Sequence, residues 1–320
     1  MDFRQIGVIG AGNIGVGVVT DLVLHGISAV VVDVSQDILK HAQTEVLKNV
    51  RFAPLLSQTL PRITRDEALE RMVLTTDLED VASCAFIIEN VTEDWKIKKP
   101  VYERLERVVP PDVCFGANTS CIPITQIASV TRRPANVVGI HLMNPVHVKP
   151  TVEVIRGVHT SDRTVDTLLQ LFSLLNKEAI IVDDLPGFVS NRISHLFMNE
   201  AAFALQDGVA TADKIDLIFK KCFGHKMGPL ETADLIGLDT VVRSLDVLYE
   251  SFHDSKYRCC PLLRKLVHAG HLGRKTGRGF HAYPGAQGAA CGTGAMNPAR
   301  QAAAADAAER VRAEETEGSS

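Results

Sequence analysis

The stretch VIGAGNIGVGVVTDLVLHG, residues 8–26, spaces three glycines as G-x-G-x-x-G between an apolar run and a long apolar segment. The first part is typical of a buried strand and the last part of a helix. In such a loop Gly10 permits a tight turn, Gly12 lets the backbone approach a pyrophosphate, and Gly15 lets helix and strand pack closely. Unpaired N–H groups at the start of the helix would bind the phosphates. The stretch predicts a dinucleotide-binding loop.

An acidic residue at the end of the second predicted strand supports this interpretation. Asp33 follows Gly15 by 18 residues. A carboxylate there accepts a hydrogen bond from a ribose 2′-hydroxyl and repels a 2′-phosphate, which favours NAD over NADP. A flavin- or nucleotide-binding loop, or glycines used only for packing, are the alternatives.

Apolar runs alternate with amphipathic stretches through the first half of the chain. Strands are predicted at residues 6–9, 29–32, 72–75, 85–89, 113–117, 137–142, 152–155 and 179–182. Helical patterns lie between them, for example at 14–25 and 38–50, and Ser161 is the expected N-cap of a helix before the last strand. This rhythm indicates an α/β fold with a Rossmann-type, doubly wound, mostly parallel sheet covered by helices on both faces.

The second half of the chain has a different pattern. Strand signals stop after DDLPGF, residues 183–188, and helical patterns continue to about residue 268. We expect an NAD-binding domain at 1–184 and an all-α domain at 185–284. The remainder, 285–320, is rich in Gly, Ala and charge and is expected to be disordered.

Composition excludes several classes of function. The chain of 320 residues is 46% hydrophobic and 22% charged, with a formal net charge of -4, which argues against a general nucleic-acid binder. It contains no uncharged apolar run of about 18 residues, so no membrane span is expected. Its seven cysteines lack metal-binding spacing, so we expect reduced thiols, no metal site and a cytoplasmic protein.

The stretch GIHLMNPVHVKPTVEVI, residues 139–155, is the candidate catalytic segment. His141 ends a predicted strand, where α/β sheets bind their ligands, and Glu153 follows 12 residues later. If the chain reverses around residues 144–150, the two side chains can meet. An imidazole oriented by a carboxylate is suited to remove a hydroxyl proton during alcohol oxidation.

From about residue 6 to residue 283, the sequence resembles the L-3-hydroxyacyl-CoA dehydrogenase family. The segments that carry the likeness, in the family's order, are the glycine loop, Asp33, IIENVTEDWKIKK (87–99), NTS (118–120), HLMNP (141–145), TVEVI (151–155), PGFVSNR (186–192), MGPLE (227–231), GLD (237–239) and GRKTGRGF (273–280). The resemblance implies an NAD-dependent oxidation of a 3-hydroxyacyl thioester to the 3-ketoacyl thioester.

The resemblance also implies roles for individual residues. His141 matches the catalytic base and Glu153 its partner. Ser120 and Asn144 match a hydroxyl and an amide near the reacting oxygen, and Asn191 matches another amide that lines the substrate site. The cofactor-binding positions are matched by Gly10, Gly12, Asn13, Ile14, Gly15, Asp33, Glu93, Lys98 and Asn118.

Three of these residues also have structural alternatives. Ser120 could cap a short helix predicted at 123–128, Asn144 could hold a turn, and Asn191 could solvate a domain junction. The resemblance further implies a homodimer whose C-terminal helices build the interface and close the substrate cleft. The helix predicted at 189–206, apolar on almost every side, fits the interior of a bundle or such an interface.

The sequence departs from the family's usual pattern at a few positions. His147 and Lys149 lie in a loop that is usually small and apolar, and we expect both to be exposed at a turn tip; the alternative is a polar group near the substrate entrance. Pro100 falls in a predicted helix and is expected in its first turn.

The segment 51–72 corresponds to the family's helical arm that touches coenzyme A. Here it is compact and carries Arg51, Arg62, Arg65 and Arg71, which could meet phosphates or form a solvated face. The acyl group could therefore be carried by coenzyme A or by an acyl carrier protein.

Other functions stay open. The same chemistry could act on a short polar group carried by an acyl carrier protein, such as a glyceryl thioester in polyketide extender-unit synthesis, or on a free sugar acid at C3. β-Hydroxyacid dehydrogenases are disfavoured because residues 186–200 contain no lysine. An NAD-binding sensor is disfavoured because both His141 and Glu153 are present.

Overall fold

The computed structural model describes residues 3–283. The predicted tail at 285–320 lies outside the described residues. The chain divides between Leu185 and Pro186 into two compact units.

The first unit is built on one sheet of eight strands. The strands are β1 (Gln5–Ile9), β2 (Ser28–Val32), β3 (Met72–Thr75), β4 (Phe86–Glu89), β5 (Cys114–Asn118), β6 (Val137–His141), β7 (Thr151–Arg156) and β8 (Glu178–Asp183). Their order across the sheet is β3-β2-β1-β4-β5-β6-β7-β8. All neighbours pair in parallel except β6 and β7, which are antiparallel. The predicted Rossmann-type sheet is confirmed, and the order reverses between β1 and β4, where such folds bind dinucleotides.

Six helices belong to this unit: α1 (Asn13–Leu24), α2 (Gln36–Leu56), α3 (Arg65–Glu70), α4 (Trp95–Val108), α5 (Ile124–Ala128) and α6 (Asp162–Leu174). The helix α1 is buried from Gly15 to Leu24, because it packs in the main core of the sheet. Ser161 caps α6 as predicted, its hydroxyl accepting a hydrogen bond from the amide of Thr164 at 3.2 Å.

Pro100 does not lie in the first turn of its helix, so that prediction is wrong. It is the sixth residue of α4, and its ring removes one backbone hydrogen bond there. The buried side chains of Lys98, Tyr102 and Leu105 hold the inner face of α4 in place on either side of the proline. Tertiary packing thus outweighs the local cost of the proline.

The second unit is all-α, as predicted. Its helices are α7 (Ser190–Gln206), α8 (Ala212–Cys222), α9 (Pro229–Ile236), α10 (Leu238–Phe252) and α11 (Pro261–His268). Met198 and Ala202 of α7 pack in a core with the other helices, but Ile193 is 64% exposed. Among residues 3–283, only one face of α7 is buried, so the helix is not enclosed in a bundle; the alternative expectation, a subunit interface, stays a prediction.

Close packing in the second unit requires a glycine at position 279, in the segment GRKTGRGF. The carboxylate of Asp234 in α9 accepts hydrogen bonds from the amide of His281 and the hydroxyl of Tyr283, both at 2.9 Å. A Cβ atom at Gly279 would lie 1.9 Å from Asp234 Oδ1. The last described turn can therefore wrap around this carboxylate only if residue 279 has no side chain.

Candidate active site

The glycine loop joins β1 to α1 at the reversal point of the sheet. Gly10 has a positive φ of 92°, and a Cβ atom there would lie 2.8 Å from the backbone of Asn90, which follows β4. A Cβ atom at Gly15 would lie 1.9 Å from the carbonyl oxygen of Gly10. Both positions therefore require glycine for steric reasons, as the sequence pattern indicated.

The N-terminus of α1 is suited to hold a pyrophosphate. No side chain caps it, and the amides of Asn13, Ile14 and Gly15 belong to the first turn, whose N–H groups have no intrahelical acceptor. A Cβ atom at Gly12 would meet nothing within 4 Å, so the space beside the loop is open. The helix dipole adds a partial positive charge at the same place. The residues of this loop therefore fit a dinucleotide.

Asp33 lies directly beside the loop. Its Oδ2 accepts a hydrogen bond from the amide of Ala11 at 2.8 Å, and its Oδ1 accepts from the amide of Val34 at 2.8 Å. The half-buried carboxylate follows β2, the neighbour of β1, and stands next to the phosphate-binding turn. This is the position from which an acid can bind a ribose 2′-hydroxyl.

A buried ion pair lies at the ends of β4 and β5. Lys98 donates to both carboxylate oxygens of Glu89 at 2.9 Å and to the carbonyl of Asn118 at 2.8 Å, and Tyr102 donates to Glu89 at 2.8 Å. Burial raises the pKa of Glu89, although Lys98 opposes the shift, and burial also raises the pKa of Tyr102 well above its ordinary value. Neither Glu89 nor Tyr102 was among the predicted site residues, although Glu89 lies in the segment 87–99 that carries the family likeness. Contact of Lys98 with a cofactor stays a prediction.

Glu93 organises the turn that carries Ser120. Its Oε1 accepts hydrogen bonds from the hydroxyl of Thr119 at 2.5 Å and from the amides of Ser120 and Cys121 at 2.8 and 3.0 Å. One carboxylate oxygen thus fixes three consecutive residues after β5. Whether Glu93 also contacts the cofactor stays a prediction.

Ser120 does not cap the short helix α5, so that alternative is wrong. The N-terminus of α5 is capped by Asp184, whose two carboxylate oxygens accept from the amides of Ile124 and Thr125 at 2.9 and 2.7 Å. The cap comes from a residue about 60 positions away, which local sequence cannot reveal.

The His141–Glu153 pair forms as proposed. Antiparallel pairing of β6 and β7 sets the two residues directly opposite each other, and Nδ1 of His141 lies 2.9 Å from Oε2 of Glu153. Their side chains are only 7% and 9% exposed. An ionised carboxylate only accepts hydrogen bonds, so the proton of the neutral imidazole resides on Nδ1 and the lone pair on Nε2. The arrangement can remove a proton and then hold the resulting imidazolium next to a negative charge.

A hydrogen bond connects the ends of β5 and β6 beside the His141–Glu153 pair. Oδ1 of Asn118 accepts a hydrogen bond from the amide of Leu142 at 3.4 Å. Asn144 follows in the loop 142–150 and is exposed, with a cis peptide bond to Pro145. Lys149 is exposed, as expected.

His147 contradicts the expectation of an exposed turn tip. It is 4% exposed, and neither ring nitrogen has a hydrogen-bond partner in the part of the chain that the structure describes. Burial lowers the pKa of His147, which keeps the ring neutral at physiological pH. The loop folds down onto α1, with Val146 against Gly17, and this carries His147 into the interior.

Asn191 belongs to the second unit, where it is the second residue of α7. Its carbonyl is 3.0 Å from Nδ1 of the buried His195. The placement of its amide in a substrate site stays a prediction.

Among residues 3–283, no group of His, Cys, Asp and Glu side chains could hold a metal ion, and no helix is long and apolar enough to cross a membrane.

Comparison with known proteins identifies relatives along the whole described chain. Residues 5–185 match the family model "3-hydroxyacyl-CoA dehydrogenase, NAD binding domain", and residues 187–283 match "3-hydroxyacyl-CoA dehydrogenase, C-terminal domain". A 3-hydroxybutyryl-CoA dehydrogenase of Bradyrhizobium diazoefficiens is 40% identical over 284 residues, 89% of this chain and 97% of that one. A probable 3-hydroxybutyryl-CoA dehydrogenase of Bacillus subtilis is also 40% identical, over 88% of this chain and 98% of that one. The crystal structure of (S)-3-hydroxybutyryl-CoA dehydrogenase from Ralstonia eutropha superposes with a TM-score of 0.82 at 37% identity, covering 88% and 99% of the two chains.

Proposed function

Because this chain belongs to the 3-hydroxyacyl-CoA dehydrogenase family, we propose that its catalytic base is His141, oriented by Glu153. The chain is an NAD-dependent oxidoreductase that oxidises the CH–OH group of a 3-hydroxyacyl thioester to the 3-ketoacyl thioester. The observation that carries the proposal is the 2.9 Å contact between the imidazole and the carboxylate at the end of β6.

In the oxidation direction, Nε2 of His141 takes the proton of the substrate hydroxyl. Bound at the N-terminus of α1, NAD would supply the hydride acceptor. Loss of the hydroxyl proton to His141 and of a hydride from the carbon that bears the hydroxyl converts the alcohol to a carbonyl. Glu153 stabilises the imidazolium and keeps Nδ1 protonated. Ser120 and Asn144 donate hydrogen bonds to the oxygen as it becomes a carbonyl. In the reverse direction, the imidazolium returns the proton to that oxygen.

The cofactor would be held by two parts of the first unit. The open N-terminus of α1, with Gly12 and Asn13, binds the pyrophosphate, and Asp33 binds the adenosine ribose. Glu93, four residues after β4, and Asn118, the last residue of β5, would contact the nicotinamide end. This assignment is supported by the steric requirement for glycine at positions 10 and 15.

The substrate we propose is a short 3-hydroxyacyl-CoA. Both curated relatives reported above carry names that specify 3-hydroxybutyryl-CoA. At the end of α2, the side chains of Lys48, Arg51 and Arg65 line an open groove of about 390 Å³, which suits the phosphates of coenzyme A. Arg71 instead donates to the carbonyl of Val23 at 2.9 Å. The comparisons do not favour a polar group on an acyl carrier protein or a free sugar acid.

A homodimer formed through the second unit is also proposed. Ile193 of α7, Leu217 and Ile218 of α8, and Phe223 after α8 are exposed apolar side chains. A second copy that covered them would remove this surface from water. A cytoplasmic location stays a prediction from the sequence.

An NADH-consumption assay tests the proposal. Wild-type protein and the His141→Ala variant are compared on acetoacetyl-CoA, on the same acyl group attached to an acyl carrier protein, and on free acetoacetate. We expect wild-type turnover to be fastest with acetoacetyl-CoA and His141→Ala to lose about 100-fold to 10,000-fold in kcat while NADH still binds. Unchanged turnover in the variant would refute the base assignment, and faster turnover with the carrier protein would overturn the choice of substrate.

A further inference from the structure

A buried lysine outside the catalytic pair holds the loop that follows His141. Lys177 immediately precedes β8, and its side chain is 3% exposed. Its ammonium donates to the carbonyls of Val146 and Lys149 at 2.7 and 2.8 Å, and its third partner is Oδ2 of Asp21 at 2.9 Å. Two of the three N–H donors of the ammonium are thus used by the loop carbonyls, and the contact with Asp21 is an ion pair.

The third partner connects the loop to the cofactor helix. Asp21 lies in α1, and its side chain is 2% exposed. Nδ1 of His25, one turn later, lies 3.4 Å from the other carboxylate oxygen of Asp21 and 2.9 Å from its carbonyl. Leaving the buried carboxylate of Asp21 without the ammonium of Lys177 would be costly, so the two groups hold each other in place. The carbonyls of the loop 142–150 are thus tied to the same helix whose N-terminus forms the phosphate site.

A second contact seats the same loop on α1 without any charge. The backbone and side chain of Val146 lie so close to α1 that a Cβ atom at Gly17 would be 2.9 Å from Val146 Cβ and Cγ2. A real Cβ atom cannot occupy that distance, so the absence of a side chain at position 17 lets the loop approach the helix. This steric contact is independent of the lysine.

We propose that Lys177 is a positioning residue for hydride transfer, acting with Gly17 to seat the loop 142–150 on α1. The loop carries Asn144, which the proposed function places at the reacting oxygen, and α1 begins at the cofactor site. Lys177 thereby holds the loop that carries the Asn144 amide against the helix that begins at the cofactor site. The inference rests on the proposed function, because it assigns the loop to substrate binding.

Two variants disturb the seating in different ways. The double variant Asp21→Asn with Lys177→Met removes both charges, so no buried carboxylate is left unpaired. Gly17→Ala keeps both charges and pushes Val146 away from the helix. The matched control is Lys40→Met, because the Lys40 side chain is exposed on α2, outside the loop 142–150.

We measure kcat and KM for acetoacetyl-CoA, and the Kd of NADH by fluorescence, at a temperature where circular dichroism shows each variant to be folded. Because a displacement of about 1 Å at a reacting centre can cost about 100-fold, both variants should lose about 10-fold to 100-fold in kcat, with KM raised. The Kd of NADH should stay within about twofold. Lys40→Met should match the wild type.

The possible results distinguish a failure of the positioning role of Lys177 from a failure of the proposed function. Folded variants with wild-type kcat and KM would show that Lys177 serves stability alone and would overturn the positioning role. If the double variant does not fold, Gly17→Ala decides, and wild-type kinetics there would overturn the seating. Loss of NADH binding in Gly17→Ala would also overturn it, because the defect would lie in the cofactor helix. Retained turnover in His141→Ala would refute the proposed function itself, whatever Lys177 does.

Discussion

Replacement of Glu153 by glutamine tests the proposed catalytic pair most directly. Glutamine keeps the size of the side chain and its hydrogen bonding but removes the negative charge. The imidazolium that forms on proton removal then loses its counterion. With Nδ1 and Oε2 2.9 Å apart, the charge centres of the pair are separated by about 4 Å.

The expected loss follows from this separation. At an effective dielectric constant of about 20, two unit charges about 4 Å apart attract by about 4 kcal/mol. An effect of that size on the transition state corresponds to about 1,000-fold in kcat. The low exposure of both side chains means that solvent screens the interaction weakly. We therefore expect Glu153→Gln to lower kcat by about 1,000-fold with little change in the Kd of NADH.

The assay is the initial rate of NADH oxidation with saturating acetoacetyl-CoA, with protein folding checked by circular dichroism. Glu178→Gln is the control, since Glu178 is an exposed glutamate at the start of the neighbouring strand β8. The double variant of His141→Ala with Glu153→Gln should be no slower than His141→Ala alone, because Glu153 acts through the imidazole. A kcat within threefold of wild type for Glu153→Gln, or additive losses in the double variant, would refute the reasoning.

Three further predictions concern the first unit. Asp33→Ala should lower the ratio of kcat/KM for NADH over NADPH by about 10-fold or more, since the repulsion of a 2′-phosphate is removed; an unchanged ratio would locate that selectivity elsewhere. Gly15→Ala should weaken NADH binding in a fluorescence titration by about 10-fold or more, because its Cβ atom would lie 1.9 Å from a loop carbonyl, and wild-type affinity would contradict the steric argument. Burial lowers the pKa of His147 below its ordinary 6.5, so the unfolded chain binds the extra proton first and stability is lost as the pH falls below 6.5. His147→Leu should therefore show a smaller drop in the urea-derived free energy of unfolding between pH 7 and pH 5, by at most about 1.4 kcal/mol per pH unit, and a drop equal to that of wild type would exclude the ring as the source.

Local patterns were sufficient to predict the sheet. All eight predicted strands are present, each within one residue of its predicted ends. The central strands β1, β2, β4, β5 and β6 are buried on both faces, which produces continuous apolar runs with sharp boundaries, whereas the edge strands β3 and β8 are more exposed. The glycine loop and the Ser161 cap were predictable for a similar reason, since their geometry depends on residues a few positions apart. The family resemblance supplied the pairing of His141 with Glu153, which spacing alone supported weakly.

The features that the sequence did not reveal all depend on distant contacts. The burial of His147 follows from the seating of its loop against α1 and from Lys177, 30 residues later. The cap of α5 comes from Asp184, and the partners of Lys98 lie on two different strands. Hydrophobic periodicity describes each segment without its distant neighbours. It therefore predicted an exposed turn at His147, whereas the ring is buried in the folded chain.

The antiparallel register between β6 and β7 has a practical consequence for engineering. The proton acceptor and its carboxylate are fixed by backbone pairing, and a slip of one residue would turn one of them to the opposite face of the sheet. The intervening segment 142–150 contributes neither of these two side chains. Its remaining positions could therefore be redesigned for bulkier acyl groups without moving His141 or Glu153, provided that Asn144 keeps its place and two backbone carbonyls still reach the ammonium of Lys177.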